Sequence, residues 1–358
     1  MTKDESLHNK VRAQRLARGW SQEDLALRAG ISRAGVGAIE TGRLVPSAAT
    51  ALKLAAIFGC RVEDLFHFGE GTGHETLWAW EPQRQPCRYW CATVGGRTLR
   101  YPVESTNQGV AVHDGVFENG HFQDRARIDP EDTLVIACCD PAVALLAREL
   151  QRAGVRLLAL QRPSRVALEL LGQGLIHAAG VHLASRNDQQ ANIRAAREEL
   201  RRSFSALRMA RWWEGLAASP SLGLKSFQAA LRSKLRWVGR ETGSVVSELL
   251  AELLRKRHQP QHVAYSHRGV AECVQSGWAD LGICLRLPSD EAGLDFFALR
   301  EDDYDLCYLS EHEGDPRIQA LVTAVRSVSY RQSLAMLPGY NTAETGQLQS
   351  VAWASPTA

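Results

Sequence analysis

The chain has 358 residues, of which 45% are hydrophobic and 23% charged, and its formal net charge is +2. This length exceeds one ordinary domain and predicts two or three, each with a core of its own. The composition is typical of a globular protein, and the sequence offers none of the runs of about 18 apolar residues that a membrane span needs. Because the first ten residues are polar, unlike a secretory signal, we expect a cytoplasmic protein without a membrane partner.

Charge is distributed unevenly along the chain. Residues 1–66 hold ten Lys/Arg against seven Asp/Glu, and residues 201–257 hold twelve against four. Residues 287–315 hold ten Asp/Glu and a single basic residue, Arg300. Such runs are often only solvated surface, but two basic zones also suit a protein that binds anions at two places.

The N-terminal part is predicted to be all-α. Apolar residues up to Leu65 recur at helical spacing and are interrupted by short turns, which predicts five helices. Ser21, Ser32 and Ser47 stand where three of these helices begin, and a serine hydroxyl there can accept hydrogen bonds from first-turn N–H groups. We therefore expect a domain over residues 1–68.

The next segment changes character twice. Residues 69–75 are rich in glycine and poor in apolar residues, as a linker is. Residues 76–128 contain short alternating stretches broken by glycines, which predict β-strands. We expect residues 69–130 to form a linker and a small β-rich segment. This segment is a spacer, a dimerisation surface or a further part of a sensor, and its sequence does not choose among the three.

Residues 131–358 alternate strands and helices. This alternation predicts a mainly parallel α/β sheet with helices on both faces. Helices are expected from about Pro141 and Ser164, and residues 189–218 are predicted as one or two helices. The strands expected before residue 189 are Thr133–Cys138, Arg156–Leu160 and Ile176–Leu183.

Neither the cysteines nor the histidines predict a metal site. The eight cysteines include no CxxC pair and no cluster with histidine at ligand spacing, so we interpret them as reduced, mostly buried residues. His182 and His267 are interpreted as core or cleft histidines, because neither has a second histidine at chelating spacing. The chain also lacks the GxxxxGK[ST] and GxSxG motifs. We expect no cofactor, no bound metal and no enzymatic activity.

Two of the predicted helices have the features of a DNA-reading pair. SQEDLALRAG and SRAGVGAIETG are joined by a tight turn, so the second helix can enter the major groove. With its flanks, from Val11 to Phe66, this stretch resembles the Cro/repressor-like helix-turn-helix domains of the xenobiotic-response-element family. The resemblance implies a double-stranded DNA operator as partner and a homodimer that binds it.

The same resemblance implies roles for individual residues. Gln22 and Ser32, at helix N-termini, are expected to bind phosphates, which fixes register without reading sequence. Arg43 is expected to reach the DNA backbone or the minor groove. Arg33 is able to form two hydrogen bonds to guanine. The residues expected to face the bases are Arg33, Ala34 and Gly37.

Two glycines in the recognition helix weaken direct readout. Gly35 and Gly37 each cost about 1 kcal/mol relative to alanine and offer no side chain to a base. Specificity then depends on Arg33, on DNA shape and on the pairing of two protomers. Arg15 and Glu40 occupy positions at which the family pairs an arginine with a glutamate, so we assign them to structure. A five-helix protein-interaction module is the alternative interpretation.

Several predicted strands of the C-terminal part end in small polar residues just before a helix. In open α/β sheets, ligands bind at such turns, where helix N-termini present free N–H groups. Each serine or threonine there is as often only a helix cap. The residues expected to line one ligand-binding cleft are Asp140, Ser164, Arg240, Thr242, Gly243, Ser244, Ser266 and His267.

Residues from about Thr133 to Val351 resemble the bacterial periplasmic-binding-protein-like domains that are found fused to helix-turn-helix domains or to molybdenum-cofactor proteins. The stretches CDPAVALLAREL, GRETGSVVSELL and HVAYSHRGVAECVQSGWADLGI carry the resemblance. It implies a two-lobed α/β domain of type II that closes on a ligand. The first lobe is expected to hold residues 131–185 and 281–351, and the second lobe residues 186–280.

These resemblances together predict a one-component transcription regulator whose C-terminal domain senses a small ligand. Relatives that bind molybdate, tungstate or sulfate use neutral hydroxyls and backbone N–H groups, which suits Thr242–Ser244 and favours such an oxyanion as effector. Glu241 in the same turn argues against an anion. The alternatives are an organic metabolite as effector, a C-terminal domain used only for protein interaction, and one that acts enzymatically on its ligand.

Overall fold

The computed structural model describes residues 7–18, 20–60, 62–68, 77–104, 111–125, 128–184, 188, 190–254 and 260–353. The chain forms two compact units, Met1–Thr76 and Leu77–Ala358. Within the described ranges, the helices are too short or too polar to cross a membrane.

The described part of the first unit contains five helices and one short antiparallel sheet. The helices, α1 to α5, are Val11–Ala17, Gln22–Ala29, Arg33–Glu40, Ala48–Phe58 and Val62–Leu65. Strand β1, Leu7–Asn9, pairs with β2, Phe66–Phe68, and so joins the two ends of the unit. The five helices confirm the prediction, whereas the sheet was not anticipated.

The helix boundaries follow the predicted chemistry. Ser21 forms a capping box, because its Oγ accepts the Asp24 backbone N–H while the Asp24 carboxylate accepts the backbone N–H of Ser21. Ser32 and Ser47 cap α3 and α4 with their hydroxyls. Helix α2 ends at Gly30, whose φ of 64° lies in the left-handed region that favours glycine. The tight turn between α2 and α3 depends on this residue.

One apolar core holds the helices together. Leu25 of α2, Ile39 of α3 and Leu54 of α4 are fully buried in it. Burial of one such side chain contributes about 1.5–3 kcal/mol. Because each helix gives an apolar face to the same core, the angle between α2 and α3 is fixed by packing.

The second unit begins with a five-stranded sheet of order β3-β5-β4-β6-β7. Its strands are β3 Leu77–Trp78, β4 Cys87–Val94, β5 Arg97–Pro102, β6 Gly115–Glu118 and β7 His121–Asp124. Gly95 and Gly96 have positive φ and form the tight hairpin between β4 and β5. Leu99 and Tyr101 pack in the same core as the large sheet that follows. The β-rich segment therefore belongs to the second compact unit.

A ten-stranded mixed sheet follows, counted over the described residues. Its order is β13-β12-β14-β11-β15-β10-β8-β9, and β16 and β17 also pair with β11. The strands are β8 Thr133–Cys138, β9 Arg156–Gln161, β10 Ala178–Ala184, β11 Phe204–Ala218, β12 Trp237–Arg240, β13 His262–Ala264, β14 Leu281–Leu285, β15 Asp295–Leu309, β16 Tyr340–Asn341 and β17 Leu348–Val351. The helices are α6 Val143–Arg152, α7 Ser164–Gly172, α8 Ala191–Leu200, α9 Phe227–Arg232, α10 Val245–Leu254, α11 His267–Gln275, α12 Arg286–Glu291, α13 Pro316–Arg326 and α14 Val328–Ala335.

Two long antiparallel strands, β11 and β15, run through both halves of this sheet. On one side β8 is parallel to β9 and β10, and on the other side β12 is parallel to β13 and β14. Each side has apolar cores of its own. The unit therefore has two lobes joined by crossover strands, as the resemblance implied.

The lobe boundaries differ from the predicted ones. Ile193 of α8 and Phe204 at the start of β11 pack in a first-lobe core, although residues 186–280 were expected in the second lobe. Ile283 of β14 packs with Trp237 in a second-lobe core, although it was expected in the first. Each crossover strand begins in one lobe and ends in the other, so the boundaries fall inside strands and not between elements.

Residues 189–218 were predicted as one or two helices, and this is wrong for their second half. Helix α8 is present, but Phe204–Ala218 forms β11. This stretch is rich in alanine, leucine and arginine, which favour helices in isolation. Its pairing with β15 along the full length, and with β14 and β17 on the other edge, outweighs that preference.

Candidate functional site

The first unit presents part of the predicted DNA-contact set to solvent. Arg33 opens α3, and its side chain is 70% exposed, with Nε 3.9 Å from an Oε2 of the equally exposed Glu23. Ala34 is exposed beside it. Arg43 is exposed after α3 and donates from Nε to Thr41 Oγ1 at 3.0 Å. An exposed ion pair is worth at most about 1 kcal/mol, so the Arg33 guanidinium is available to another anion.

Gln22 and Gly37 are less exposed than these residues, whereas Ser32 is exposed. Gln22 Nε2 donates to Glu40 Oε2 at 2.9 Å. A Cβ on Gly37 would lie 3.7 Å from the same amide group, which is ordinary contact. Ser32 Oγ accepts the Gly35 backbone N–H at 3.0 Å. Gln22 and Gly37 thus meet where α2 crosses α3.

A buried ion pair fixes this arrangement. Arg15 on α1 donates from Nε to Glu40 Oε1 at 2.6 Å and from Nη2 to Oε2 at 3.1 Å, and its Nη1 reaches the Trp20 carbonyl. The Arg15 and Glu40 side chains are only 9% and 2% exposed. Burial opposes ionisation of Glu40, but hydrogen bonds from Arg15 and Gln22 prevail and lower its pKa. The assignment of Arg15 and Glu40 to structure is confirmed.

In the second unit, three predicted ligand residues meet where the two lobes face each other. Ser164 opens α7 in the first lobe, and its Oγ accepts the His182 backbone N–H at 3.1 Å. Arg240 ends β12 and His267 opens α11 in the second lobe, and both are buried. The rings of His182 and His267 are 5.8 Å apart, so the lobes touch at this point.

Of four other predicted ligand residues, three take part in local structure and one is exposed. Ser244 Oγ accepts the backbone N–H of Ser247 at 3.1 Å, and Ser266 Oγ accepts that of Gly269 at 2.9 Å, so both serines cap helices. Thr242 is exposed. Gly243 has a φ of 87°, which the turn into α10 requires.

Asp140 and Arg240 have partners of their own. Asp140 Oδ1 accepts from Tyr340 Oη at 2.7 Å, and burial raises the pKa of Asp140 to about 6 against the effect of that bond. Arg240 makes two 2.8 Å hydrogen bonds to the carboxylate of Glu241, the residue that argued against an anion. Its Nη1 is buried without a hydrogen-bond partner among the described residues.

Three side chains that are distant in sequence converge in the cleft. The ligand atoms of Cys139, His182 and His267 all lie within 4.8 Å of one another, and the three residues are buried. Neither ring nitrogen of His267 has a hydrogen-bond partner in the described part of the chain, and neither does Nδ1 of His182. Buried polar atoms rarely stay unpaired in folded proteins, so this group is a candidate ligand site.

The crossover strands bring two carboxylates to the same place. Glu214 on β11 stands opposite Arg300 on β15, and Arg300 Nη2 lies 2.6 Å from Glu214 Oε2. Arg300 Nε lies 3.0 Å from Asp302 Oδ2. Ligand atoms of His182, Glu214 and Asp302 are also within 4.8 Å of one another. We call Glu214, Arg300 and Asp302 the floor of the cleft. The Trp212 ring lies 5.4 Å from that of His182.

Burial sets the protonation of this cluster. It lowers the pKa of His182 to about 3 and that of His267 well below its ordinary value, and nearby arginines lower both further. Both imidazoles are therefore neutral at physiological pH. Burial, followed by repulsion from Glu214, raises the pKa of Asp302 to about 8. Asp302 is therefore mostly protonated at physiological pH, and the Arg300 guanidinium is balanced by the Glu214 carboxylate.

Sequence reasoning found only part of this cleft. Ser164, Arg240 and His267 were expected there. His182 was interpreted as a core or cleft histidine and Cys139 precedes an expected cleft residue, Asp140, but neither was expected as a ligand. Glu214 and Asp302 were not expected at all, because the fold and not a local motif brings them to the cleft. Arg300 stood out in the sequence as the single Lys or Arg among the acidic residues 287–315. In the structure it lies within ion-pair distance of both Glu214 and Asp302.

Comparison with known families gives two matches. A helix-turn-helix family model matches residues 11–65. A family model described as a PBP superfamily domain matches residues 147–326, which is half of the chain.

Individual relatives match one unit each. An uncharacterized HTH-type transcriptional regulator of Methanocaldococcus jannaschii is 42% identical over 60 residues, which cover 17% of this chain and 91% of that protein. The uncharacterized protein YvgK of Bacillus subtilis is 31% identical over 124 residues, which cover 33% of this chain and 40% of YvgK. A solved structure of PhnD1 from Prochlorococcus marinus in complex with methylphosphonate is 16% identical, covers 60% of this chain and 93% of that one, and has a TM-score of 0.41.

Proposed function

Since the chain belongs to the PBP superfamily and carries a helix-turn-helix domain of the transcription-regulator type, we propose that it is a one-component transcription regulator. In this proposal the first unit binds a double-stranded operator and the second unit binds a small effector. The protein acts by binding and not by catalysis, and it works in the cytoplasm, where the DNA is.

The exposed N-terminal end of α3 carries the DNA-binding part of the proposal. Arg33 and Ala34 are exposed there, while the Arg15–Glu40 pair and Gln22 hold α3 against α1 and α2. A helix that presents its first residues on a rigid support is the arrangement that reads the major groove. Gly37 is proposed to face the bases together with Arg33 and Ala34, and Gln22, Ser32 and Arg43 are the proposed supporting contacts.

The protein binds its operator as a homodimer in this proposal. One recognition helix covers only a few base pairs, and paired helix-turn-helix units reach two half-sites about one helical turn apart. Leu44 and Val45, in the turn after α3, are exposed and apolar, which suits a surface covered by a second protomer.

The effector binds between the lobes in this proposal. Buried polar atoms without partners lie there on His182, His267 and Arg240, in the part of the chain that is described. An oxyanion such as molybdate or tungstate is one candidate, supported by the unpartnered Nη1 of Arg240. The Glu214 carboxylate, which faces Arg300, acts against an anion. An effector controls DNA binding only if it binds two conformations of the protein with different affinity.

Selection from a pool of random duplexes with the full-length protein tests the DNA-binding proposal. We expect one motif to be enriched, arranged as an inverted repeat with half-site centres about 10 base pairs or a multiple apart. Recovery of DNA without any enriched motif would leave only non-specific binding and refute a regulator of specific operators.

A thermal-shift series tests the effector proposal. The full-length protein is heated with molybdate, tungstate, sulfate, divalent metal ions and small organic metabolites. A ligand at one hundred times its Kd adds about 2.7 kcal/mol of stability to the domain that binds it. A shift with one class identifies the effector chemistry, and a series without any shift favours a second unit used only for protein interaction.

A further inference from the structure

We infer that Cys139, His182 and His267 form a binding site for one divalent transition-metal ion such as Zn²⁺, which joins the two lobes. Metal binding stands on these three residues by themselves, and only the effector role of the metal rests on the proposed function. The sequence predicted no metal here, because the three residues are far apart in the chain and come together only in the fold.

The donor set supports such an ion. One thiolate and two neutral imidazoles are the ligands that Zn²⁺ and similar borderline ions take, whereas Mg²⁺ and Ca²⁺ prefer oxygen. In a tetrahedral zinc site, bonds of about 2.0–2.3 Å place the ligand atoms about 3.3–3.8 Å apart. The three ligand atoms lie within 4.8 Å of one another, so shifts of about 1 Å close the site.

The unpaired atoms are a second and independent observation. His267 is 1% exposed, and both of its ring nitrogens lack a hydrogen-bond partner among the residues described. His177, a buried histidine of the first lobe, shows the ordinary situation, because its Nδ1 accepts the Val135 N–H and its Nε2 contacts the Thr93 carbonyl. An imidazole that packs in a core is satisfied in this way, whereas His267 is left for a ligand.

The charges around the cluster suit a cation better than an oxyanion. Arg240 makes two hydrogen bonds to the Glu241 carboxylate. Arg300 is paired with Glu214, and its Nε lies 3.0 Å from Asp302 Oδ2. Because both of these buried guanidinium groups already face a carboxyl group, an oxyanion would have to compete with it for either arginine. A metal ion held by Cys139, His182 and His267 needs neither guanidinium.

The position of the site explains how metal could control the protein. Cys139 and His182 belong to the first lobe and His267 to the second, so a bound ion joins the lobes directly. The ion can be held by all three ligands only when the lobes are closed. It therefore binds the closed form more tightly and shifts the population toward it.

Zinc titration of the full-length protein, purified with a chelator and then dialysed, tests the site. We expect one strongly bound Zn²⁺ per chain and, with Co²⁺ as a probe, a thiolate-to-cobalt absorption band. Cys139→Ser removes the band and weakens Zn²⁺ binding by more than about 100-fold, since even outer-shell partners of a metal cost about 10- to 100-fold. Cys138→Ser is the matched control, because Cys138 is the adjacent buried residue but packs in an apolar core with Leu134 and Ile136.

Equal Zn²⁺ binding by the Cys138 and Cys139 variants would overturn the site. If Cys139→Ser does not fold, His267→Asn takes its place, and unchanged Zn²⁺ affinity there has the same meaning. Binding of the selected duplex by metal-free and Zn²⁺-loaded protein separates this inference from the proposed function. Zn²⁺ binding through Cys139 without any DNA binding would support the metal site and refute the proposed regulator. DNA binding without any Zn²⁺ binding would support the regulator and refute the metal site.

Discussion

At the scale of single residues, Arg33 and His267 show how a side chain is made available for binding. Arg33 has one weak partner, an exposed carboxylate 3.9 Å away, so little is lost when it turns to another anion. His267 is the opposite case, since it is buried with both ring nitrogens unpaired in the part of the chain described. In the proposed function, its exposure lets Arg33 contact DNA, and its unpaired ring nitrogens let His267 contact a ligand.

Arg33→Ala tests the reading of DNA. We expect binding to the selected duplex to weaken by about 1–3 kcal/mol and discrimination between bases to flatten, because the bidentate contact is lost. Arg33→Lys is the matched variant, since it keeps the charge but not the fork of donors. Fluorescence anisotropy at fixed salt measures both, and unchanged affinity and specificity in Arg33→Ala would place the recognition surface elsewhere.

At the scale of elements, the Arg15–Glu40 pair links three short helices. Arg15 comes from α1 and Glu40 from the end of α3, and Gln22 at the start of α2 donates to the same carboxylate. None of these helices is long enough to be stable alone. Their geometry, and with it the position of Arg33, depends on this contact and on the apolar core beneath it.

Glu40→Gln removes the charge that balances a buried guanidinium. We expect it to cost about 3 kcal/mol, because breaking one side of a buried pair leaves the other uncompensated. Glu23→Gln, at an exposed pair, should change stability by less than about 0.5 kcal/mol. Hydrogen exchange of peptides from residues 11–40 in the full-length protein measures both, and exchange in Glu40→Gln as slow as in Glu23→Gln would show that the pair does not hold the helices.

The helices of the first unit could be predicted from sequence because their signals are local. Ser21 with Asp24 specifies a helix start, and Gly30 specifies the end of the same helix. Strand β11 could not be predicted, because its residues favour a helix and only its pairing with β15 makes it extended. The cleft cluster could be predicted only in part. His267 follows Ser266, a helix cap that the sequence indicates, whereas His182 and Cys139 become neighbours only through the fold.

At the scale of the whole chain, the second unit depends on contacts between sheets. His177 is buried between them, with Nδ1 accepting the Val135 N–H of β8 and Nε2 facing the Thr93 carbonyl of β4. Burial lowers the pKa of His177 to about 4, and the charge of Arg317 lowers it further, against the opposite effect of Asp315. The histidine is therefore neutral in the folded protein.

This depressed pKa makes stability depend on pH. Between about pH 6.5 and pH 4 the unfolded chain binds a proton at this histidine and the folded chain does not. The stabilisation of the folded protein by neutral His177 is therefore complete above pH 6.5 and decreases as the pH falls toward 4. At pH 5 the loss is about 2 kcal/mol. We expect His177→Gln to lose less stability than the wild type between pH 7 and pH 5 in urea unfolding. Equal losses would show that His177 titrates alike in both states.

The central claim, that the first unit reads a DNA sequence, is tested most directly by a ratio of affinities. The full-length protein is titrated against the selected duplex and against a scrambled duplex of the same composition, at one salt concentration near 0.15 M. Because specific complexes exceed non-specific ones by about 10³-fold or more, we predict a ratio of at least that size. A ratio near one would mean that only phosphates are recognised, and it would contradict the assignment of this chain as a regulator of specific operators.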